Sequence, residues 1–454
     1  MKKQFSLAGR PLIMGTFILT ATGLVTRTIG FFYRIYLSRL FGEEGMGIYQ
    51  LLSPVLALSF SLCAAAYQTA ISKFVAEYTT RKGQRFRPLI TGLTISVPLS
   101  LLCCAFIYSQ AHFIAVRLLL EPRTESMLRI LAFSIPFSSI HSCINGYFYG
   151  IKKTGAPAAA QLLEQLARVG CVYLTSASVI AKGQTPSINV AVLGLTVGEF
   201  VSMSVSLTAI FQVLHRRTAA VLPDSPAPGA RALHDGRMIR NILAMALPLT
   251  LNRIVLNFLQ SVESVSIPAM LRLYGYDNAT ALSVYGVLTG MAMPLIFFPN
   301  ALTNSVSVLL LPLISENYAL GDLQAVKSAI LRTVKFCGIL GFGCLSVFFV
   351  SGSFVGRVLF DSPLAGHFIT TLSFLCPFLY LDTTLSSILQ GLGKAGTIFV
   401  MNVIALLLRL LFVFKAIPAF GITGYLWGML AGQIVLSLLY LLCLRHFLHR
   451  HMPR

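Results

Sequence analysis

Charged residues are scarce in this chain, and acidic residues are the scarcest. Only 11% of its 454 residues are charged, with 15 Asp and Glu against 35 Lys and Arg, whereas soluble domains carry about 25% charged residues. Hydrophobic residues make up 56% of the chain, and the mean hydropathy is +0.78. There are too few polar side chains to cover several soluble domains, so the composition predicts an integral membrane protein.

Motifs for catalysis, metal binding and nucleotide hydrolysis are also missing. The sequence has no phosphate-binding GxxxxGK[ST] loop, no nucleophile motif and no zinc signature. Its nine cysteines lie in apolar stretches without a CxxC, which is typical of core residues and not of disulfides or a metal site. We therefore expect no enzymatic activity and no cofactor. Energy for transport would come from an ion gradient of H⁺ or Na⁺, the membrane potential or the substrate's own gradient.

Apolar sequence is abundant, in runs long enough to cross a membrane. A spanning helix needs about 20 mostly apolar residues, and no alternating pattern indicates an outer-membrane barrel. About twelve windows meet the helical requirement: residues 11–38, 47–72, 88–111, 127–150, 156–181, 187–214, 240–271, 280–313, 328–352, 364–390, 396–417 and 420–444.

Basic residues outside these spans indicate the orientation. They concentrate at the two ends of the chain and in the even-numbered connections, and they are few in the odd-numbered ones. The positive-inside rule then predicts a multi-pass protein of the cell membrane with both termini in the cytoplasm. On this interpretation the net charge of +20 reflects topology and not nucleic-acid binding. The basic C-terminal tail, with His446, His449 and His451, predicts attraction to anionic lipids of the cytoplasmic face.

The second half of the sequence repeats the first. Residues 131–155 align with residues 372–396 at a constant offset of 241. The aligned pairs include residue types that rarely coincide by chance: Pro136 with Pro377, Lys153 with Lys394 and, further along, Arg168 with Arg409. In the sixth and twelfth spans, Gly194 and Gly198 match Gly424 and Gly428 at an offset of 230.

This repeat predicts the fold class. Because the offset covers an even number of spans, both copies have the same orientation. The sequence thus predicts an all-α integral membrane protein with two parallel six-helix lobes, residues 1–214 and 240–454, joined by a polar cytoplasmic linker at 215–239. Such a pair of lobes is typical of transporters with a substrate site between the halves. The alternative is a receptor or scaffold with duplicated helices.

Arginines inside the first span form a candidate substrate site. Thr16, Thr20, Gly23, Arg27, Gly30 and Arg34 recur on one helical face. Arg27 and Arg34 would lie about 10.5 Å apart along the helix. Two guanidinium groups on a stripe of small residues suit a phosphate or pyrophosphate. Alternatively, Arg34 snorkels to the interface and Arg27 pairs with a carboxylate of another helix.

The seventh span has a similar polar face. Arg253, Asn257, Gln260 and Ser264 lie at helical spacing, and Glu263 lies to one side of them. We predict that Arg253, Asn257 and Gln260 contact substrate. Glu263 would either neutralise an arginine or bind a coupling cation. Arg253 has a second interpretation as an anchor at the membrane interface.

The remaining charged residues within the spans each have a functional and a structural interpretation. Glu164 and Arg168 are four residues apart, which predicts an intrahelical ion pair more than a substrate contact. Arg409 has no carboxylate four residues before it, where the sequence has Ala405, and it is a further candidate for substrate binding. The candidates for ion coupling here are His141, Asp382 and Glu199. The first two occupy equivalent positions of the repeat and are equally well explained as hydrogen-bonded structural residues.

Several motifs near the N-terminus resemble a known family. They are RTIGF at 27–31, RIYLSRLFG at 34–42, GMGIYQL at 45–51 and AISKFVAE at 70–77. Together they resemble the stage V sporulation protein B family, in the polysaccharide-exporter branch of the multidrug/oligosaccharidyl-lipid/polysaccharide (MOP) flippase superfamily. The first two also resemble lipid II flippases, whose helix-1 arginines line a central cavity. The second span here has no arginine, in contrast to those flippases.

The resemblance implies a MATE/MOP-like fold and a flippase that works by alternating access. The implied substrate is an undecaprenyl-pyrophosphate-linked saccharide, such as a peptidoglycan or spore-cortex precursor, and the protein is expected to act as a monomer. Arg27 and Arg34 carry over as ligands of the substrate phosphates. The alternative is a cation-coupled multidrug exporter of the MATE type, which acidic residues facing the cavity would suit. A non-transporting scaffold in cell-wall or spore assembly is a third possibility.

Overall fold

The structure, a computed structural model, describes residues 10–78, 86–218 and 236–451, and these residues are helical almost throughout, without a β-strand. We number the main helices α1 (Arg10–Gln50), α2 (Ser53–Glu77), α3 (Arg87–Ser109), α4 (Thr124–Gly150), α5 (Gly155–Ala181), α6 (Asn189–Thr218), α7 (Gly236–Tyr274), α8 (Asn278–Phe297), α9 (Asn300–Ala319), α10 (Leu323–Phe360), α11 (Pro363–Gly391), α12 (Ala395–Lys415) and α13 (Ile422–His451). The predicted all-α fold class is confirmed.

Ten of the helices in the described part of the chain are long and apolar enough to cross a membrane. They are α2, α3, α4, α6, α7, α8 and α10 to α13. The predicted spans 11–38 and 156–181 are helical as well, within α1 and α5, but they are not among the ten. In α5 the pair Glu164 and Arg168 lowers the hydropathy. The chain is thus a multi-pass membrane protein.

Two predicted spans have wrong boundaries. The span predicted at 280–313 is interrupted, because α8 ends at Phe297 and α9 begins at Asn300. Pro299 separates them, since proline has no backbone N–H to continue a helix. The span predicted at 47–72 begins too early: residues up to Gln50 belong to α1, and α2 starts at Ser53. Within α1, the positive φ of Gly42 (69°) marks a break between two helical segments.

The described residues pack into two compact units. The first unit runs from the start of the described chain to Gly30 and from Leu52 to Phe258. The second unit comprises Phe31–Leu51 and the chain from Leu259 onward. These units differ from the predicted lobes 1–214 and 240–454, because α1 and α7 each contribute residues to both units. The lobe boundaries stay a prediction. Residues 219–235 of the predicted linker lie outside the described residues, and its two ends are helical.

Each unit has a hydrophobic core of its own. In the first unit, α2, α4 and the start of α7 bury residues such as Ile71, Tyr147 and Ile242 against one another. In the second unit, α9, α10, α11 and α13 do the same with residues such as Ile314 and Leu389. Apolar side chains on the outside are common, as expected for helices that face lipid.

A close contact between backbones holds α1 and α8 together in the second unit. A methyl group at Gly286 would lie 2.3 Å from both the carbonyl oxygen of Glu43 and the amide nitrogen of Gly47. One at Gly47 would lie 2.1 Å from the carbonyl oxygen of Leu282. Small residues at helix crossings let backbones approach in this way within membranes. A side chain at either glycine would therefore force the helices apart.

We predict that Gly286→Ala destabilises the protein by about 1 to 3 kcal/mol, because the added methyl group overpacks a contact made of backbone atoms. Gly338→Ala in α10 is the matched control, since nothing lies within 4 Å of a methyl group there. The measurement is thermal unfolding of the detergent-purified protein. Equal melting temperatures for the two variants would contradict the contact.

Candidate functional site

Four ionisable side chains of the first unit meet between α4, α5 and α6. We call His141, Glu164, Arg168 and Glu199 the first-unit cluster. Nε2 of His141 lies 2.8 Å from Oε2 of Glu199, and Nη2 of Arg168 donates to Oε1 of Glu164 at 2.7 Å. The same Nη2 lies 4.0 Å from Oε1 of Glu199. The four side chains are between 12% and 20% exposed. The predicted Glu164–Arg168 ion pair is confirmed.

Two glycines allow α5 and α6 to approach closely enough to form this cluster. A methyl group at Gly198 would lie 3.0 Å from the carbonyl oxygen of Glu164 and 3.3 Å from Cβ of Arg168. One turn earlier, a methyl group at Gly194 would lie 2.3 Å from the side chain of Val172. Because α5 and α6 touch at these points, Glu199 is held beside Arg168.

The charges of the first-unit cluster limit what it can bind. The ligand atoms of His141, Glu164 and Glu199 lie within 4.8 Å of one another, a spacing that a metal ion could use. However, the guanidinium group of Arg168 already pairs with one carboxylate and approaches the other. A divalent ion would add two positive charges beside it, at a cost that low dielectric increases. The set therefore suits a single additional positive charge.

The second unit has a buried ion pair between α7 and α12. Nε of Arg409 donates to Oε1 of Glu263 at 2.8 Å, and the hydroxyl of Tyr425 donates to the same oxygen at 2.9 Å. Nη2 of Arg409 also donates to the hydroxyl of Tyr425 at 3.3 Å. Glu263 is only 3% exposed. Of the two roles predicted for Glu263, the structure shows the neutralisation of an arginine, and it places the candidate substrate ligand Arg409 in this pair.

Asp382 of α11 is buried without a basic neighbour among the described residues. Its Oδ2 accepts a hydrogen bond from the side-chain amide of Gln433, and its Oδ1 accepts one from the hydroxyl of Ser437 at 2.6 Å. The residue is 6% exposed. An ionised carboxylate inside a membrane-spanning segment needs a compensating charge. Asp382 therefore suits a site that takes up a proton or a cation.

The helix contacts correct the repeat in the sixth and twelfth spans. The glycine of α13 that contacts Arg409 and Ala405 is Gly432, and its methyl group would lie 2.8 Å from Cγ of Arg409. Gly198 makes the corresponding contact with Arg168 and Glu164. The structural counterpart of Gly198 is thus Gly432, and the predicted match with Gly428 is wrong by one helical turn.

With this corrected register, the two units share one polar arrangement. The residue after each of these glycines is Glu199 in α6 and Gln433 in α13. Glu199 bonds to His141, and Gln433 bonds to Asp382, the residue equivalent to His141. The arrangement of α4, α5 and α6 therefore recurs in α11, α12 and α13, with different chemical groups at the same places.

Sequence reasoning missed several partners in these clusters. They are Asn145, Tyr425, Gln433 and Ser437. Their residue types are common in spans, and only Gln433 carried a usable signal, because it follows a glycine that packs like Gly198. The off-by-one-turn alignment concealed that signal.

The predicted phosphate ligands are less buried than these clusters. Arg27 of α1 and Arg253 of α7 are exposed, and neither has a hydrogen bond or ion pair within residues 10–78, 86–218 and 236–451. Both belong to the first unit. Arg34 belongs to the second unit, is partly buried and makes contacts of its own. The alternative in which Arg27 pairs with a carboxylate is not seen among these residues.

The other polar residues of α7 differ in their surroundings. The side-chain amide of Asn257 donates to the hydroxyl of Ser61 at 2.6 Å and to the carbonyl oxygen of Ala57 at 3.3 Å. It thereby fastens α7 to α2 within the first unit. Gln260 is exposed on the second unit. Their predicted roles in substrate binding stay predictions.

The fold is that of MATE-type transporters. A multidrug resistance MATE family transporter of the MOP superfamily, solved in an inward-facing conformation, superimposes with a TM-score of 0.69. The match covers 94% of this chain and 95% of that one at 16% identity. Within this class of membrane protein, sequence comparisons define the family more closely.

Residues 12–318 match the family described as polysaccharide biosynthesis protein, and the chain belongs to that family. It is 29% identical to stage V sporulation protein B of Bacillus subtilis (strain 168), over 96% of this chain and 83% of the relative. It is 22% identical to the lipid II flippase MurJ of the same organism, over 94% of this chain and 81% of the relative. The resemblance inferred from the N-terminal motifs is confirmed.

We predict that Glu263→Gln destabilises the protein by about 3 to 5 kcal/mol, because it leaves the guanidinium group of Arg409 buried without a negative partner. Adding Arg409→Gln to this variant should restore most of the loss, since the double variant buries no unpaired charge. Thermal unfolding of the purified protein measures both effects. Glu316→Gln, at an exposed position of α9, is the control. A Glu263→Gln variant as stable as the wild type would refute the importance of the pair.

Proposed function

We propose that this protein flips a lipid-linked saccharide across the membrane by alternating access, with arginines binding its pyrophosphate. Two lines of support meet here. The family to which the chain belongs is described as polysaccharide biosynthesis protein, and one relative is named as a lipid II flippase. The chain also carries arginines suited to an anionic group inside helices of membrane length.

The observation that carries the proposal is a contrast among the arginines within spans. Arg129, Arg168 and Arg409 each lie within 2.7 Å of a glutamate. Arg27 and Arg253 have no such partner among the described residues. A charged side chain at the centre of a membrane costs at least about 2.5 to 3.5 kcal/mol. An arginine within an apolar helix that has no internal carboxylate as a partner is well suited to an anion supplied by the substrate.

Phosphate chemistry explains why arginine is used. Its guanidinium group stays charged and offers paired N–H donors that match two phosphate oxygens. All undecaprenyl-pyrophosphate-linked saccharides carry the same pyrophosphate group. Contacts to this group would recognise the lipid carrier and leave the sugar free to vary. The roles of Arg34 and Gln260, which belong to the second unit, stay predictions from their sequence positions.

We predict that Arg27→Ala and Arg253→Ala each slow the flipping of a labelled lipid-linked precursor at low substrate concentration. A hydrogen bond to a charged group contributes about 1.5 to 3 kcal/mol, which corresponds to a roughly ten- to hundredfold loss. Initial rates in reconstituted vesicles measure this. Arg117→Ala, at an exposed arginine outside the spans, should be unaffected. Undiminished flipping in both variants would refute the phosphate site.

Energy for this movement is proposed to come from a cation gradient. Of the acidic candidates in the second unit, Glu263 is neutralised by Arg409, while Asp382 accepts hydrogen bonds only from neutral donors among the described residues. These contacts favour Asp382 as the residue that binds H⁺ or Na⁺. The pair His141 and Glu199 is the corresponding candidate of the first unit.

We expect Asp382→Asn to remove the dependence of flipping on an imposed ion gradient, because an amide neither binds a proton nor compensates a cation. The fold should persist, since asparagine keeps an acceptor for Gln433 or Ser437. Flipping rates with and without a gradient of H⁺ or of Na⁺ test this. The control is Asp361→Asn, at an exposed left-handed position that asparagine tolerates. Unchanged gradient dependence in Asp382→Asn would rule the residue out.

A second function, cation-coupled export of drug-like molecules, has one observation in its favour. The first unit contains a cavity of about 360 Å³ lined mostly by apolar groups of α2, α4 and α6, with Glu199 in its wall. An apolar cavity with one carboxylate suits an organic cation. Ethidium efflux from vesicles distinguishes the two functions: strong efflux without movement of the lipid-linked precursor would favour the exporter.

A further inference from the structure

The first-unit cluster lacks one positive charge. It contains the two carboxylates of Glu164 and Glu199 and the single guanidinium group of Arg168. With a neutral imidazole at His141 the cluster carries a net charge of −1, and with an imidazolium it is neutral. A net charge buried in a membrane-spanning helix bundle is unfavourable, so the neutral state is the one that the surroundings favour.

No other basic group supplies the missing charge among the described residues. From α2, Lys73 pairs with Glu77 at the exposed end of the helix. On α2 and α3, Cys63, Tyr67, Cys103 and Tyr108, whose ring packs against Phe133 of α4, are titratable, but none of them is a cation. The start of α7, which shares a core with α4, carries Arg240 at an exposed position. On α4 itself, Arg129 pairs with Glu125 near the start of the helix. Lys152 and Lys153 follow the other end of the helix. His141 is therefore the group that can complete the charge balance.

The side chain of Asn145 gives independent support. Its amide nitrogen lies 3.4 Å from Nδ1 of His141, while its Oδ1 is buried and has no hydrogen-bond partner among the described residues. Rotating the amide by half a turn exchanges the two atoms, which are nearly indistinguishable in shape. Oδ1 would then accept a hydrogen bond from a protonated Nδ1. An imidazolium at His141 can thus donate to both Glu199 and Asn145 while it completes the charge balance.

We propose that the first unit contains a one-proton site, in which His141 is an imidazolium held between Glu199 and Asn145, and that the release and uptake of this proton accompanies transport. The proton leaves Nε2 of His141 for Oε2 of Glu199, 2.8 Å away. The His141–proton bond breaks and a carboxylic acid forms, with no change in oxidation state. The site itself does not depend on the proposed substrate; only its link to transport rests on the proposed function.

Glu199 also connects the site to a space that water can enter. The same carboxyl group lines the cavity of about 360 Å³, together with the hydroxyl groups of Ser53, Ser59, Ser134 and Ser138. Ordered waters need polar partners and room of roughly 30 Å³ each; the cavity has the room, and Glu199 with these four serines supplies the polar groups of a wall that is otherwise apolar. Glu199 thus gives the proton a route from the cluster into this cavity, whose lining does not include His141.

A proton fits this site better than a metal ion. Na⁺, like other hard cations, prefers a shell of oxygen ligands, whereas here one of the three candidate ligand atoms is a ring nitrogen of His141. Arg168 lies 4.0 Å from Glu199 and 2.7 Å from Glu164, so a metal ion would be repelled at short range. In the second unit the equivalent places hold Asp382 and the uncharged Gln433, which makes the histidine–carboxylate pair specific to the first unit among the described residues.

Solid-state NMR of the full-length protein in lipid bilayers tests the site directly. The protein is labelled with ¹⁵N-histidine, and the difference between the wild type and His141→Gln isolates the two ring nitrogens of His141. At neutral pH we expect both nitrogens to be protonated. In Glu199→Gln, which keeps a hydrogen bond but loses the charge, we expect a neutral ring. His367→Gln, at an exposed histidine, identifies signals that do not belong to the cluster.

The outcomes separate this inference from the proposed function. A neutral His141 ring in the wild type, or an imidazolium that persists in Glu199→Gln, would overturn the one-proton site. Displacement of the proton by added Na⁺ would overturn it as well. An imidazolium that depends on Glu199, found in a protein that flips no lipid-linked precursor, would support the site and refute the proposed function. If precursor is flipped, loss of its pH-gradient dependence in His141→Gln, but not in His367→Gln, links the proton to transport.

Discussion

The cost of a charge inside the membrane governs the polar interior of this protein. Apolar helices leave an ionised side chain few ways to be stable: a partner of opposite sign, a bound proton, or a ligand. The structure shows the first solution for Arg168 and Arg409, each with its own glutamate. A bound proton suits Asp382 and His141. A bound ligand suits Arg27 and Arg253.

Glycines decide which of these groups can meet. In each unit, two neighbouring helices touch through glycines, and the residue that follows the contact reaches into the polar cluster. Gly198 places Glu199 next to His141, and Gly432 places Gln433 next to Asp382. Close packing of backbones and the burial of polar groups are therefore linked: a larger residue at the contact would also displace the hydrogen-bonding partner.

The two units share a plan and differ in chemistry. At equivalent places, the first unit has a histidine with a carboxylate, and the second has a carboxylate with an amide. The arginine of the first unit is paired from within its own helix by Glu164. The arginine of the second unit has Ala405 at that position and is paired from α7 by Glu263 instead. Duplication preserved the helix packing, while each unit came to a different charge balance.

The sequence alone determined the membrane fold class, the internal repeat and the i, i+4 pair of Glu164 and Arg168, because hydropathy and helical spacing are local properties. It also singled out every member of the first-unit cluster and, in the second unit, Glu263, Asp382 and Arg409, since charges are rare in such helices. Only the tertiary structure decided which of these residues pair with each other. Arg409 and Glu263 are far apart in sequence, and glycines at every fourth position of α13 allow two alignments one turn apart. Packing between helices resolves that ambiguity, because only one register brings Gly432 against Arg409.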